Sequence, residues 1–102
     1  STASFQYYEN EVSAWAHARG ITTNGKVETQ VMKAGSEMGE LFDATIKNQD
    51  REFKDAVGDV LVCLINACTL KGTDLTECLA LAYEEIKDRK GFLMPNGCFV
   101  KE

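Results

Sequence analysis

Residues 54–64, KDAVGDVLVCL, decide the fold. Projected at about 100° per residue, Phe53, Val57, Val60, Leu61, Leu64 and Cys68 share one broad face, and the opposite side still carries Val62, Cys63 and Leu70. A helix that is apolar nearly all round is expected to be central and buried. On that opposite side Glu52, Asp55, Asp59 and Asn66 fall on a single stripe, about 60° wide. Carboxylates rarely sit among apolar neighbours unless a partner compensates their charge, so the stripe reads as the lining of a site. The helical stretch before it, residues 36–41 (SEMGEL), places Glu37 and Glu40 with Lys33 along one flank of its own apolar stripe, because positions three or four apart share a face. If the two helices pack antiparallel, the acidic sets meet at similar depth. Oxygen ligands grouped in this way suit a hard divalent cation, Mg²⁺ or Mn²⁺.

Each half of this pattern has an ordinary explanation. A Glu-x-x-Glu pair on an amphipathic helix is most often a solvated face, and Asp55 and Asp59 would be exposed if their helix were less central. The combination shifts the balance: two pairs, consecutive helices, a short connection and apolar surroundings. Composition is compatible with it. A chain of 102 residues makes one compact domain (1–102), and its 44% apolar content is adequate for a core. A domain this small buries limited surface alone, so association into oligomers is expected. The net charge of −5 gives no footprint for a nucleic-acid polymer or an anionic membrane. No apolar run approaches the ~20 residues of a membrane span, and no basic-then-apolar leader is visible. Cys63, Cys68, Cys78 and Cys98 have neither zinc nor disulfide spacing, so a reducing, cytoplasmic setting is expected.

Periodicity divides the chain into four helices and a tail, an all-α bundle. Phe5, Tyr8, Val12 and Trp15 recur at helical spacing until Gly20, with Phe5 and Trp15 read as packing between helices. A linker, 21–25, ends in Asn24-Gly25. The second helix carries Val27, Val31, Ala34, Met38, Leu41 and Thr45, and the third runs from about Arg51 to Leu70. The fourth opens with Asp74 as cap and Glu77 closing a capping box, and continues to Lys90-Gly91. An extended tail, 92–102, contains a turn at Pro95-Asn96-Gly97, and no strand-like alternation persists. His17 is assigned no role.

SEMGELFDA followed by KDAVGDVLVCLINA resembles the MazG-type, all-α nucleoside triphosphate pyrophosphohydrolases, over a core of about residues 27–91. The signature of that superfamily is Glu-x-x-Glu on one helix and Glu-x-x-Asp on the next, together binding Mg²⁺. Glu37 and Glu40 match the first half, and Asp59, in its Gly-Asp-Val-Leu context, matches the last position. The remaining glutamate falls on Ala56, which cannot ligate. Asp55, one residue earlier, would substitute from the same stripe. A second register, Glu52-x-x-Asp55, fits the motif literally but loses the Gly-Asp-Val-Leu context.

The resemblance implies a MazG-like four-helix fold, a homodimer or homotetramer, and hydrolysis of nucleoside triphosphates, dNTPs in particular, to the monophosphate and pyrophosphate, a house-cleaning of unwanted nucleotides. Glu37, Glu40 and Asp59 would be the catalytic carboxylates. Glu37, Glu40, Asp55, Asp59 and Glu52 would be the candidate Mg²⁺ (or Mn²⁺) ligands, with Glu37 or Glu40 as the proton acceptor for water. Lys33, Lys87, Arg89 and Lys90 are the cations available to the phosphates, although a basic last turn also complements a helix dipole. Asn66 faces the same way as Asp59 and is placed to bond a ribose, a phosphate or a ligand carboxylate. The alternative is a non-catalytic helical interaction module with exposed acidic faces. A di-iron bundle lacks its Glu-x-x-His motifs here.

Overall fold

The computed structural model describes residues 3–102. Five helices follow in order, α1 (Phe5–Ala18), α2 (Ile21–Asn24), α3 (Val27–Ile46), α4 (Asp50–Lys71) and α5 (Leu75–Ile86), then a hairpin of β1 (Gly91–Leu93) and β2 (Phe99–Lys101). The fold is all-α apart from that hairpin. The segment read as a linker before α3 coils into the single turn α2. Gly25 ends it where a side chain could not fit, since a Cβ there would lie 2.2 Å from the Ile21 carbonyl oxygen. The tail, read as merely extended, pairs with itself: Gly91 faces Lys101, and Leu93 faces Phe99. Its strands are three residues each, too short to show a period of two in sequence.

Two long helices, α3 and α4, form the body as an antiparallel pair. Their joint is only Lys47 to Gln49, with Asn48 in the left-handed region at φ 57°, a conformation that asparagine tolerates better than most residues. The pair closes on small side chains, because Ala34, Ala44, Ala56, Cys63 and Ala67 are among the few buried apolar residues. Helix α4 is central as expected, meeting α1, α2, α3 and α5. The face that is buried differs from the projected one. Phe53 is exposed, Val57, Val60, Leu61 and Leu64 are half-buried, and Ile65 is the largest apolar side chain buried among the described residues. Phe5 and Trp15, read as packing between helices, are 50% and 44% exposed. Trp15 instead carries the Arg19 guanidinium over its ring at 4.8 Å, a cation–π contact.

Helix α5 is held chiefly at its start. The Asp74 carboxylate accepts from the Glu77 N–H at 2.8 Å, as a cap should. The Glu77 side chain does not complete the box on Asp74 but accepts from the Thr73 hydroxyl at 2.7 Å. A second tether comes from α1, where Glu9, 5% exposed, accepts from the Leu75 N–H at 3.1 Å and from Gln6 Nε2 at 3.2 Å. A buried carboxylate at the positive end of a helix is favourably placed. Glu9→Ala should therefore cost about 2 kcal/mol and lower the thermal midpoint by roughly 10 °C. A circular-dichroism melt superimposable on the parent's would refute that role. The Cys68 and Cys78 thiols meet at 3.8 Å across the α4–α5 junction, a proximity their sequence spacing conceals. Burial and the neighbouring thiol push Cys68 up to about 11. Helix α5 ends at Ile86, short of the expected Lys90. No described helix is long and apolar enough to cross a membrane.

Candidate metal centre

The α3–α4 seam brings Glu37, Glu40 and Asp59 together, each offering a carboxylate oxygen, with those oxygens all within 4.8 Å of one another. Glu37 and Asp59 are half-buried and Glu40 is exposed. Spacing on α3 and the antiparallel register create the cluster: one helix turn separates Glu37 from Glu40, and Asp59 reaches across from α4. Glu37 Oε2 is buried without any hydrogen-bond partner. An orphaned carboxylate oxygen costs free energy, and three hard oxygens this close together are the kind of donor a small divalent cation takes. The residues present therefore fit Mg²⁺ or Mn²⁺.

Electrostatics records the same crowding. Burial first, then the charges of Glu40 and Asp59 and a hydrogen bond with Glu40, hold the Glu37 carboxyl above the ordinary carboxylate range. Burial, then Asp55 and Glu40, does the same for Asp59. Lys33 opposes both shifts and also lowers the Cys63 thiol, which burial pushes up. Both carboxyls keep their protons to higher pH folded than unfolded. Above the ordinary carboxylate range, near 4, the folded state consequently binds more protons and stability falls as pH rises. Thermal melts in chelator should show the midpoint declining from mildly acidic toward neutral pH, with Mn²⁺ cancelling the decline. A midpoint that climbs over that interval in chelator would contradict this.

The other sequence candidates divide clearly. Asp55 and Glu52 are exposed and stand outside the triad, nearer the α3–α4 joint, where they line a depression of about 230 Å³ with Glu40, Asp43, Gln49 and Ala56. Asp55 still acts on Asp59 through its charge. Lys33 lies by the cluster. Lys87 does not: it pairs with Glu84 at 2.7 Å on α5, and neither it, Arg89 nor Lys90 is among the charges that shift Glu37 or Asp59. Asn66 is 2% exposed, donates a long 3.5 Å hydrogen bond to Gln30 Oε1 and leaves its own Oδ1 unpartnered. It lies two helical turns from Asp59, about 10 Å along the axis.

Sequence reasoning missed a cleft of about 510 Å³ between α1 and α4, lined by Tyr8, Glu11, Val12, Trp15, Asp59 and Val62. Aromatic residues at helical spacing look the same whether they fill a core or wall a cleft, so Trp15 gave no distinguishing signal. Asp59 belongs to both the carboxylate triad and this cleft. Compared with protein-family models, curated proteins and solved structures, the chain matches none.

Proposed function

We propose that this chain is a Mg²⁺-dependent nucleoside triphosphate pyrophosphohydrolase of the MazG-like, all-α type, acting on (d)NTPs. The observation that carries the reading is the proximity of Glu37, Glu40 and Asp59, whose carboxylate oxygens lie within 4.8 Å of one another, with Glu37 Oε2 buried and unpartnered. Bound there, Mg²⁺ would supply positive charge against the triphosphate and Lewis acidity at the reacting phosphate. Lys33 would add charge to the leaving pyrophosphate. Glu37, whose surroundings already raise its proton affinity, or Glu40 beside it, would accept the proton of the attacking water. The adjacent cleft has the volume of a small-ligand site, and Tyr8 and Trp15 offer ring faces to a base. Asn66, bonded to Gln30 and 2% exposed, would have to be uncovered before its amide could meet ribose or phosphate.

The test is product analysis with a panel of (d)NTPs and Mg²⁺. Monophosphate and pyrophosphate in equal amounts support the reading; orthophosphate, or no turnover of any nucleotide, opposes it. Trp15 is the one tryptophan of the chain, so its fluorescence reports separately on nucleotide entry into the cleft. The rival reading is a non-catalytic helical interaction module with exposed acidic faces, and Glu40, Glu52 and Asp55 are exposed. It predicts no rise in thermal midpoint with Mn²⁺ plus a non-hydrolysable nucleotide analogue.

A further inference from the structure

The fold brings two of the chain's cysteines into contact. Cys68 stands in the last turn of α4 and Cys78 at the end of the first turn of α5, and their sulfurs lie 3.8 Å apart. The turn between them is fixed by the backbone. The Thr73 N–H donates to the Cys68 carbonyl at 2.9 Å and the Gly72 N–H to the Thr69 carbonyl at 3.1 Å, the paired bonds of a Schellman ending, with Gly72 left-handed at φ 82°. The Asp74 cap and the hydrogen bond from Thr73 to Glu77 then set the direction in which α5 departs. The meeting of the two thiols is therefore built into the α4–α5 junction.

The two sulfurs differ in access. Cys78 is exposed and lines a surface depression of about 340 Å³ with Thr73, Glu77 and Glu84, so a small molecule can reach it. Cys68 is half-buried and rests as the protonated thiol, because burial and the neighbouring thiol push it up to about 11. Cys63 is buried. Cys98 is exposed in the turn of the hairpin, whose strands meet no helix among the described residues. We propose that Cys68 and Cys78 form a reversible redox site, a dithiol that a small organic disulfide, glutathione disulfide for example, converts to an intramolecular disulfide. The Cys78 sulfur attacks as its thiolate, breaking the S–S bond of the small disulfide. One small thiolate leaves and takes up a proton, and a mixed disulfide remains on Cys78. Cys68, its proton given to water, then attacks Cys78 Sγ and expels the second small thiol. Two protein thiols are oxidised, and one small disulfide is reduced to two thiols. Exposure of Cys78 leaves the bond open to the reverse reaction. The bond would pin α5 one turn beyond its capped start, on a helix whose residues from Thr76 onward are all exposed. The inference does not depend on the catalytic reading.

Incubating the full chain with glutathione disulfide under native conditions should produce the bond. A non-reduced tryptic digest should join the peptide ending at Lys71 to the one beginning at Gly72, with fragmentation placing the link on Cys68, not Cys63. Cys98 should keep its glutathione. The linked chain should melt roughly 10 °C higher, and a reductant should return the midpoint to its starting value. Cys78→Ser, at an exposed position, should fold like the parent and show neither the link nor the rise. Cys68→Ala should leave glutathione stranded on Cys78. A parent chain that holds glutathione on Cys78 without passing it to Cys68 would overturn the proposal. So would a link from Cys78 to Cys98 in its place, a Cys68–Cys78 bond that forms only in denaturant, or one that fails to raise the midpoint.

Discussion

Asp59→Asn is expected to lower the proposed pyrophosphohydrolase activity by at least about 100-fold, while the protein stays as helical and at least as stable without metal. The substitution keeps the shape of the side chain and deletes one charge from a site where the carboxylate oxygens lie within 4.8 Å of one another. Burial and like charges already hold Asp59 above the ordinary range, so an amide relieves repulsion in the metal-free state. On the proposed function a bound cation would lose one of its ligands, so the midpoint rise with Mn²⁺ should shrink together with turnover. Glu40→Gln should behave alike in activity. Full turnover in both variants would remove these residues from any metal centre. A collapse of helicity would assign them to the fold instead.

The expected pairing of lost activity with retained stability rests on how the site is built. The carboxylates crown a seam whose closure depends on Ala34, Ala44, Ala56 and Ala67, not on the acids. Small side chains let two helices approach closely, and close approach places Glu37 and Asp59 across from one another. Removing charge leaves the seam intact.

How much of this was legible in sequence depends on what a helical projection measures. It gives the angle around an axis, so it placed Glu37 and Glu40 on one flank of α3 and Asp59 on a polar stripe of α4. It gives no height relative to the facing helix. Glu52 and Asp55 share the angle of Asp59 but sit toward the joint, level with Asp43 in the shallow depression. Periodicity marked α3 and α4 because Asn48 and Gly72 interrupt it in the left-handed region. It could not reveal the Glu9 tether to Leu75, which joins residues far apart in the chain, nor the Cys68–Cys78 contact around the α4–α5 turn. Nor does the spacing of Leu79, Ala82 and Ile86 tell whether that stripe is covered; in the structure Leu79 and Ile86 are exposed.

Ala56→Glu addresses the one position where the sequence departs from the Glu-x-x-Glu and Glu-x-x-Asp pattern. Ala56 is 4% exposed and lines the depression with Glu40, Glu52 and Asp55. A carboxylate forced there without metal is buried among like charges, which costs about 2 kcal/mol even after it takes up a proton, or roughly 10 °C in thermal midpoint. With Mn²⁺ the sign reverses, since the same group becomes an additional oxygen ligand. The variant should bind Mn²⁺ about tenfold more tightly than the parent, equivalent to about 1.4 kcal/mol, and should show the steeper dependence of midpoint on metal concentration. Calorimetric titration with Mn²⁺ measures the first effect, and melts in chelator measure the second. If Ala56→Glu binds the ion no better than the parent, Asp59 is not the final position of the second motif, and Glu52 with Asp55 becomes the register to mutate next.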